Sequence, residues 1–394
     1  MPNDPIVIVS AARTPMGGFQ GELKGFAAPE LGAAAIRAAV ERAKVKPEQV
    51  EEVIMGCVLP AGQGQAPARQ ASLGAGLPLA TGCTTINKMC GSGMKAAMLA
   101  HDLLAAGTND IMVAGGMESM TNAPYLLPKA RAGLRMGHSQ VIDHMFFDGL
   151  EDAYDKGRLM GTFAEECAGK YAFTREEQDN FAIASLRRAQ QANKAGWFAW
   201  EITPLAIKAG KDEKFIENDE QPFKANLEKI PTLKPAFRKD GTVTAANSSS
   251  ISDGAAAMVM MRRSTAERLG LVPLAVVVAH STHAQAPALF TTAPVGAIRK
   301  IYERTGWKAK DVDLYEINEA FAVVTMAAMK EHGLPHDKVN VHGGACALGH
   351  PIGASGARIM VTLIGALRKY GGKRGIASLC IGGGEATAVA LELV

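Results

Sequence analysis

The strongest constraint on the fold is a pattern of local sequence that occurs twice, roughly 260 residues apart. In each copy an Ala-rich helical segment follows a Gly-rich turn and ends at a Gly, and an apolar strand then runs into a second Gly-rich turn. The helical segments are residues 93–106 and 355–370, and the strands are residues 111–114 and 376–381. We therefore predict a duplicated α/β fold of two similar halves, whose equivalent turns face one central site.

Other segments extend this alternation of strands and helices. We predict strands at residues 6–10, 53–59, 274–279 and 314–317, and helices at residues 31–44 and 295–305. Strands that alternate with helices are typical of a mostly parallel sheet covered by helices.

The middle of the chain, residues 121–246, has a different character. Thr174 and Glu177 form a capping box that opens a helix ending near Ala195, and residues 201–240 carry eight basic and eight acidic side chains. Two interpretations stay open here: a solvated insertion, or a loop domain that holds a ligand over the central site. An apolar strand at residues 255–261 follows, so we predict three domains: residues 1–120 plus 247–273, residues 121–246, and residues 274–394.

Composition limits the classes of partner and cofactor. A net charge of +3 argues against a strong nucleic-acid or membrane partner but is compatible with an anionic small molecule. No apolar run reaches the ~18 residues that span a bilayer, and the start of the chain has no secretory signal, which predicts a cytoplasmic protein. The six cysteines are scattered without a CxxC pair, so we predict neither a zinc site nor a disulfide framework.

Cys90 is the first candidate for chemistry. It precedes a helix and is followed by Gly-Ser-Gly, so the positive end of the helix dipole lowers its pKa and free N–H groups lie nearby. A nucleophile in acyl transfer needs this environment. Taken alone, the same string also fits a buried thiol at a tight turn.

Three further strings hold polar or nucleophilic residues at turns. His350, with Pro351 after it, precedes the second helix, where a neutral imidazole could take a proton from a thiol; His342 competes for that role. Cys380 ends a strand before three glycines and could be a second acid or base. Asn318 follows a strand end, where its amide could hold a water. Each also has a plain structural interpretation as a turn or core residue.

Together these strings resemble the thiolase family along the whole chain, most closely the bacterial acetyl-CoA acetyltransferases. The resemblance is carried by AARTP at residues 11–15, NKMCGSG at 87–93, GGMESM at 115–120, NEAF at 318–321, GHPIGASG at 349–356 and CIGGG at 380–384. It implies a layered α-β-α-β-α arrangement of two mixed-sheet halves with an inserted loop domain.

The resemblance also implies a role for each site residue. Cys90 would carry the acyl group as a thioester, and His350 would activate Cys90 and bind the thioester oxygen. Cys380 would exchange a proton with the methyl group of a second acetyl-CoA, and Asn318 would hold a water beside His350. The backbone N–H groups of Cys90 and Gly382 would form a second oxyanion hole.

Residues that contact coenzyme A or the acyl group follow from the same comparison. They are Ser249, Met160, Leu150, Leu159, Phe237, Phe290, Ala320, Phe321 and Lys224. Three departures from the family pattern are Leu159 in place of His, Phe290 in place of Met, and Cys346 in place of an aliphatic residue. The first two change the acyl pocket and leave room for a longer or branched 3-ketoacyl group.

The implied activity is the reversible condensation of two acetyl-CoA molecules into acetoacetyl-CoA and CoA. Coenzyme A is a substrate and product, no metal or redox cofactor is expected, and family members suggest a homotetramer. A degradative 3-ketoacyl-CoA thiolase of broader chain length is the nearest alternative. A non-catalytic acyl-CoA carrier is an alternative of another class, although a carrier needs none of the four catalytic residues.

Overall fold

The computed structural model describes residues 4–209 and 212–394; residues 210 and 211, within the predicted loop domain, and residues 1–3 lie outside it. The strands are β1 Ile6–Arg13, β2 Gly17–Gly18, β3 Glu52–Gly56, β4 Gly82–Ile86, β5 Ile111–Ser119, β6 Tyr125–Leu126, β7 Ile142–Asp143, β8 Leu205–Ala209, β9 Asp212–Ile216, β10 Ser252–Arg262, β11 Ala275–Ala284, β12 Leu314–Ile317, β13 Arg374–Ile381 and β14 Glu385–Leu393.

The α-helices are α1 Ala28–Ala43, α2 Pro67–Gly74, α3 Ser92–Ala106, α4 Met160–Tyr171, α5 Arg175–Lys194, α6 Gln221–Lys224, α7 Arg263–Arg268, α8 Ala293–Thr305, α9 Ala322–His332, α10 Ala345–Leu348 and α11 Ser355–Tyr370. The predicted capping box opens α5, where the Thr174 hydroxyl accepts a hydrogen bond from the Glu177 N–H and the Glu177 carboxylate accepts one from the Thr174 N–H. In the part of the chain that is described, none of these helices is both long and apolar enough to cross a bilayer.

One ten-stranded sheet runs through both halves in the order β12-β13-β14-β11-β1-β10-β5-β3-β4, with β2 beside β10. The second half repeats the first, because β11, β14, β13 and β12 mirror β1, β10, β5 and β3 across the β1–β11 pair. The prediction of a mostly parallel sheet is wrong: three neighbouring pairs along this order are parallel and five are antiparallel. The direction of pairing depends on connections between distant segments, which local periodicity does not report.

The two central helices, α3 and α11, pack between the halves. Along β1, Ile6 and Ile8 face the core that contains these helices, whereas Val7 and Val9 face the core that contains α1. A third core lies between the other face of the second half and α8. The resulting order of layers is α-β-α-β-α, as predicted, and the long strand β10 returns the chain to the first half after the insertion.

A buried ionic cluster fastens the inserted region to the first strand. The Arg13 guanidinium lies 2.5 Å from Glu201 and 2.6 Å from Asp219, and all three side chains are buried. The Glu201 carboxylate also accepts a hydrogen bond from the Thr362 hydroxyl on α11. Arg13 of the AARTP string therefore has a structural role, and it is not among the residues that line the main cavity.

We predict that Arg13→Met lowers the free energy of unfolding by about 3–5 kcal/mol, because it leaves two buried carboxylates without a cation. Urea unfolding followed by circular dichroism measures this. Lys214→Met is the matched control, since it breaks an exposed pair with Glu22 worth at most about 1 kcal/mol. Equal effects of the two variants would contradict the importance of the buried cluster.

Candidate active site

One mostly apolar cavity of about 390 Å³ lies where the turns of the two halves meet. Most of the predicted site residues line it, namely Cys90, Leu150, Leu159, Met160, Phe237, Ser249, Phe290, Ala320, Phe321, His350, Cys380 and Gly382. The first half, the inserted region and the second half each contribute to this lining, so the cavity exists only when all three are assembled.

Cys90 is presented by a sharp turn between β4 and α3. Met89, directly before it, has a φ of 46°, in the left-handed region that few residues other than glycine adopt. The turn is held by the Ser92 side chain, which accepts from the Lys88 N–H at 2.8 Å and donates to the Met89 carbonyl at 2.7 Å. Backbone strain of this kind is characteristic of functional turns, and here it places a partly exposed thiol in the cavity.

Two backbone N–H groups point at the Cys90 sulfur, those of Gly382 and of Cys90 itself. Burial nevertheless outweighs these donors and raises the pKa of the Cys90 thiol to about 11, with a further contribution from the Glu118 carboxylate. The resting thiol is therefore neutral. The two donors are also the pair predicted to form the oxyanion hole of the acyl-enzyme.

The protonation of His350 is set by Ser355, the first residue of α11, five residues further along the chain. Ser355 Oγ donates its only hydrogen to the Pro351 carbonyl at 2.9 Å, so it accepts from Nδ1–H of His350 at 2.5 Å. The Nε2 atom then carries the lone pair. Burial, assisted by Arg358, lowers the pKa of His350 to about 3, so the imidazole is a neutral base.

Asn318 lies against this imidazole and is not among the residues that line the cavity. Its backbone N–H donates to the Ser378 carbonyl at 3.0 Å, which fixes it beside β13. Its side-chain Nδ2 is 3.5 Å from both ring nitrogens of His350, and its amide oxygen has no hydrogen-bond partner among the described residues. Such a buried oxygen suits the acceptance of a hydrogen bond from water or substrate.

Cys380 is the second thiol of the cavity and is buried near the end of β13. Gly383 and Gly384 follow with φ values of 91° and 90°, which turn the chain into β14. Burial raises the pKa of Cys380 well above its ordinary value, and the proximity of Cys90 raises it further. The cavity thus holds two neutral thiols and one neutral imidazole.

Aromatic rings line much of the rest of the cavity. The Phe237 and Phe321 rings meet edge to face at 6.0 Å, and the Ser249 N–H donates to the Ala320 carbonyl at 2.9 Å. Phe290 is almost fully buried and belongs to the same apolar core as Phe321 and Cys380.

The structure does not bring three other residues named above into the cavity. Lys224, at the end of α6, lies in a separate cleft and pairs with Glu220, and its contact with the ligand stays a prediction. His342 is buried among the rings of Trp197 and Phe198. Cys346 lies against Glu319, with its N–H donating to that carboxylate.

Two residues with evident structural roles at the site were given none from the sequence. Ser355 orients His350, and the buried Glu118 carboxylate accepts N–H groups of Val58, Leu59 and Gly353 at 2.9, 3.1 and 2.9 Å. Burial raises the pKa of Glu118 to about 7. In the sequence, both are polar residues inside the glycine-rich strings GHPIGASG and GGMESM. That position suggests a role at the site but does not identify their hydrogen-bond partners.

A thiol at a strained turn, two amide donors on its sulfur, a neutral imidazole and a second thiol make up a cysteine-based acyl-transfer site. Family models described as "Thiolase, N-terminal domain" and "Thiolase, C-terminal domain" match residues 6–264 and 271–393. The chain belongs to the thiolase family.

Close relatives extend this match over whole chains. Acetyl-CoA acetyltransferase 2 of Arabidopsis thaliana is 51% identical over 99% of this chain and 97% of its own length. The acetyl-CoA acetyltransferase of Cupriavidus necator is 51% identical over 98% of this chain and 99% of its own, and that of Pseudomonas aeruginosa is 48% identical over 98% of both.

We predict that Ser355→Ala lowers kcat for acetoacetyl-CoA cleavage by about tenfold or more, since a positioned base contributes roughly 10²–10⁴-fold. Loss of the Nδ1 acceptor lets the imidazole change tautomer, while substrate contacts and KM are retained. Ser355→Thr keeps the hydroxyl and should restore kcat. Steady-state kinetics of the three proteins test this, and an unchanged kcat in Ser355→Ala would contradict it.

Proposed function

We propose that this chain is an acetyl-CoA C-acetyltransferase, which interconverts two acetyl-CoA molecules with acetoacetyl-CoA and CoA by ping-pong kinetics. The observation that carries the proposal is the pair of thiols, Cys90 and Cys380, that share one cavity with the His350 imidazole. The whole-length relatives named acetyl-CoA acetyltransferase support it. Hydrolysis would need one nucleophile, whereas carbon–carbon bond formation also needs a group that removes a methyl proton.

In the first half-reaction the Cys90 sulfur attacks the acetyl-CoA carbonyl while its proton moves to His350 Nε2. The N–H groups of Cys90 and Gly382 stabilise the negative charge on the carbonyl oxygen. The bond between the carbonyl carbon and the CoA sulfur breaks, and Cys380 protonates the departing CoA thiolate. This step leaves acetyl-Cys90, an imidazolium with both ring nitrogens protonated, and a Cys380 thiolate.

In the second half-reaction the Cys380 thiolate removes a methyl proton from a second acetyl-CoA. The enolate oxygen accepts hydrogen bonds from His350 Nε2–H and from a water held by Asn318. The enolate carbon attacks acetyl-Cys90, the thioester bond to Cys90 breaks, and acetoacetyl-CoA leaves. The Cys90 thiolate recovers its proton from His350, so the enzyme ends the cycle in the protonation state in which it began.

Several narrower predictions belong to this proposal. Apart from one water, every step uses side chains and backbone of this chain, so the mechanism requires no metal or redox cofactor. The cytoplasmic location, a part in fatty acid metabolism and the domain limits at residues 120, 246 and 273 stay predictions from the sequence.

Substrate size is set by the wall around Phe290. The Phe290 ring packs edge to face on Phe163 at 6.1 Å, and the Arg158 guanidinium lies 3.8 Å above the Phe163 ring. Because these contacts hold the Phe290 ring in place, the ring resists displacement by a longer acyl chain. This supports acetyl specificity over the broader degradative activity, although Leu159 and Phe290 depart from the family pattern.

We predict that acetoacetyl-CoA is cleaved with a kcat/KM at least about tenfold above that of 3-ketohexanoyl-CoA, which is about 1.4 kcal/mol of discrimination. Phe290→Leu should reduce this ratio by about tenfold, and Phe237→Leu, whose ring packs on Phe321 rather than on Phe163, should leave it unchanged. Cys90→Ala is the blank. Preference of the unmodified enzyme for longer or 2-methyl substrates would favour the degradative alternative, and turnover equal to the blank would favour the carrier.

We further propose a homotetramer, supported by two surfaces that a single chain leaves exposed. The edge strand β4 pairs with β3 on one side and is only partly buried. The hairpin of β6 and β7 and its connection expose apolar side chains, namely Tyr125, Leu127, Leu134, Met136 and Val141. Unpaired strand edges and exposed apolar patches are typical of association surfaces.

Light scattering of the purified enzyme should give about four times the chain mass of 41.4 kDa. Met136, which is 97% exposed, tests the hairpin: Met136→Glu should halve that mass without loss of secondary structure. A monomeric mass for the unmodified protein would contradict the proposal.

A further inference from the structure

Away from the cavity, two imidazoles and a carboxylate meet at one point on the surface. His101 and Asp102 lie in the C-terminal half of α3, and His280 lies on β11. Within residues 4–209 and 212–394, this is the group of three metal-ligating side chains whose donor atoms all lie within 4.8 Å of one another. The proposed reaction does not use these residues.

One carboxylate oxygen of Asp102 already joins the two imidazoles. Asp102 Oδ1 lies 3.0 Å from His101 Nδ1 and 2.9 Å from His280 Nε2. The two imidazole rings pack edge to face with centroids 4.9 Å apart. The histidine side chains are 22% and 15% exposed, whereas that of Asp102 is 55% exposed. Packing therefore holds the imidazoles, and the carboxylate faces an open path from solvent.

The donor types of the group suit a transition ion. Two imidazole nitrogens and a carboxylate oxygen are ligands that divalent first-row transition ions accept. Lys95 lies close enough to His280 to interact with it electrostatically, and its positive charge opposes a cation. We therefore expect micromolar rather than nanomolar affinity.

We propose that His101 Nδ1, His280 Nε2 and a carboxylate oxygen of Asp102 form a binding site for a divalent first-row transition ion of the Zn²⁺ class. Water would complete the coordination, since nitrogen and oxygen ligands of this kind suit zinc. Coordination replaces the two N–H···O hydrogen bonds. Each imidazole proton moves to the other ring nitrogen, so no net proton release from the histidines is required.

The position of the site defines what an ion there would do. Helix α3 belongs to the first half and β11 opens the second, so the ion would cross-link the two halves. An ion that binds the folded chain alone raises its stability. His101 lies nine residues after the start of α3, about 14 Å along its axis. Binding should therefore change stability and leave kcat unaltered.

The test is a titration of the chelator-dialysed enzyme with ZnCl₂ at pH 7.5, read by calorimetry and by the thermal midpoint. We expect one site per chain that raises the midpoint by at least about 2 °C at saturation. Because cysteine thiols are in general ligands of zinc, the decisive comparison is with Asp102→Asn and His280→Gln, which keep the thiols of the active site. Both variants should lose this site and its midpoint shift, whereas His138→Gln, an exposed histidine elsewhere, should retain both.

Acetoacetyl-CoA cleavage by the metal-free variants shows that they are folded, and it should match the unmodified enzyme. If a variant does not fold, the absorption spectrum of the unmodified enzyme with Co²⁺ decides. Binding without sulfur-to-cobalt charge-transfer bands supports nitrogen and oxygen ligands, and a spectrum that shows thiolate ligands alone overturns the proposal. Retention of the zinc site and the midpoint shift in both variants also overturns it.

Discussion

The close crossing of the two central helices fixes the geometry of the active site. A Cβ atom on Gly93 of α3 would lie 2.8 Å from the backbone nitrogen of Ala357, and one on Gly356 of α11 would lie 2.4 Å from that of Met94. Any larger side chain would force the helix axes apart. Cys90 precedes α3 by two residues and His350 precedes α11 by five, so separation of the helices would also separate the nucleophile from its base.

The duplication explains why the catalytic groups converge, and its divergence explains why they differ. In the second half β13 ends in a glycine turn that presents Cys380. In the first half the equivalent β5 runs on through its two glycines to Ser119. That extension carries Glu118, whose carboxylate binds the loop after β3 and the turn that contains Gly353. One half therefore provides a second thiol where the other provides a clamp on the His350 turn.

The same divergence marks the limit of prediction from sequence. Helix 355–370 was predicted with its observed ends, because its apolar periodicity and Gly371 are local signals. The glycines of β5 were interpreted as a turn, because the local sequence contains no information about β10. Pairing with that neighbouring strand keeps these glycines in the sheet. Strand β4 was not predicted, since its residues are only partly buried and it is recognisable only through pairing with β3.

Site residues divide along a similar line. Cys90, His350 and Cys380 lie in glycine-rich turns that the local sequence identifies. The structure places all three in one cavity. The contribution of Ser355 depends on which atom receives its single hydrogen, and that of Glu118 on three backbone groups from distant segments. The pairing of Lys224 with Glu220 is likewise a contact that composition could not specify.

Burial of the catalytic groups has a consequence for how the site is protected and activated. Because the pKa of Cys90 is raised to about 11 and that of His350 is lowered to about 3, the free site contains no thiolate–imidazolium pair. An uncharged thiol reacts slowly with oxidants and adventitious electrophiles.

Charge separation in the site becomes favourable only when a thioester oxygen accepts hydrogen bonds from the two N–H groups and takes up the developing negative charge. Glu118 reinforces this control, because its proximity disfavours a thiolate on Cys90 while it holds the backbone that positions His350. Acyl transfer is thus coupled to the arrival of substrate through electrostatics that the buried, uncharged site sets in advance.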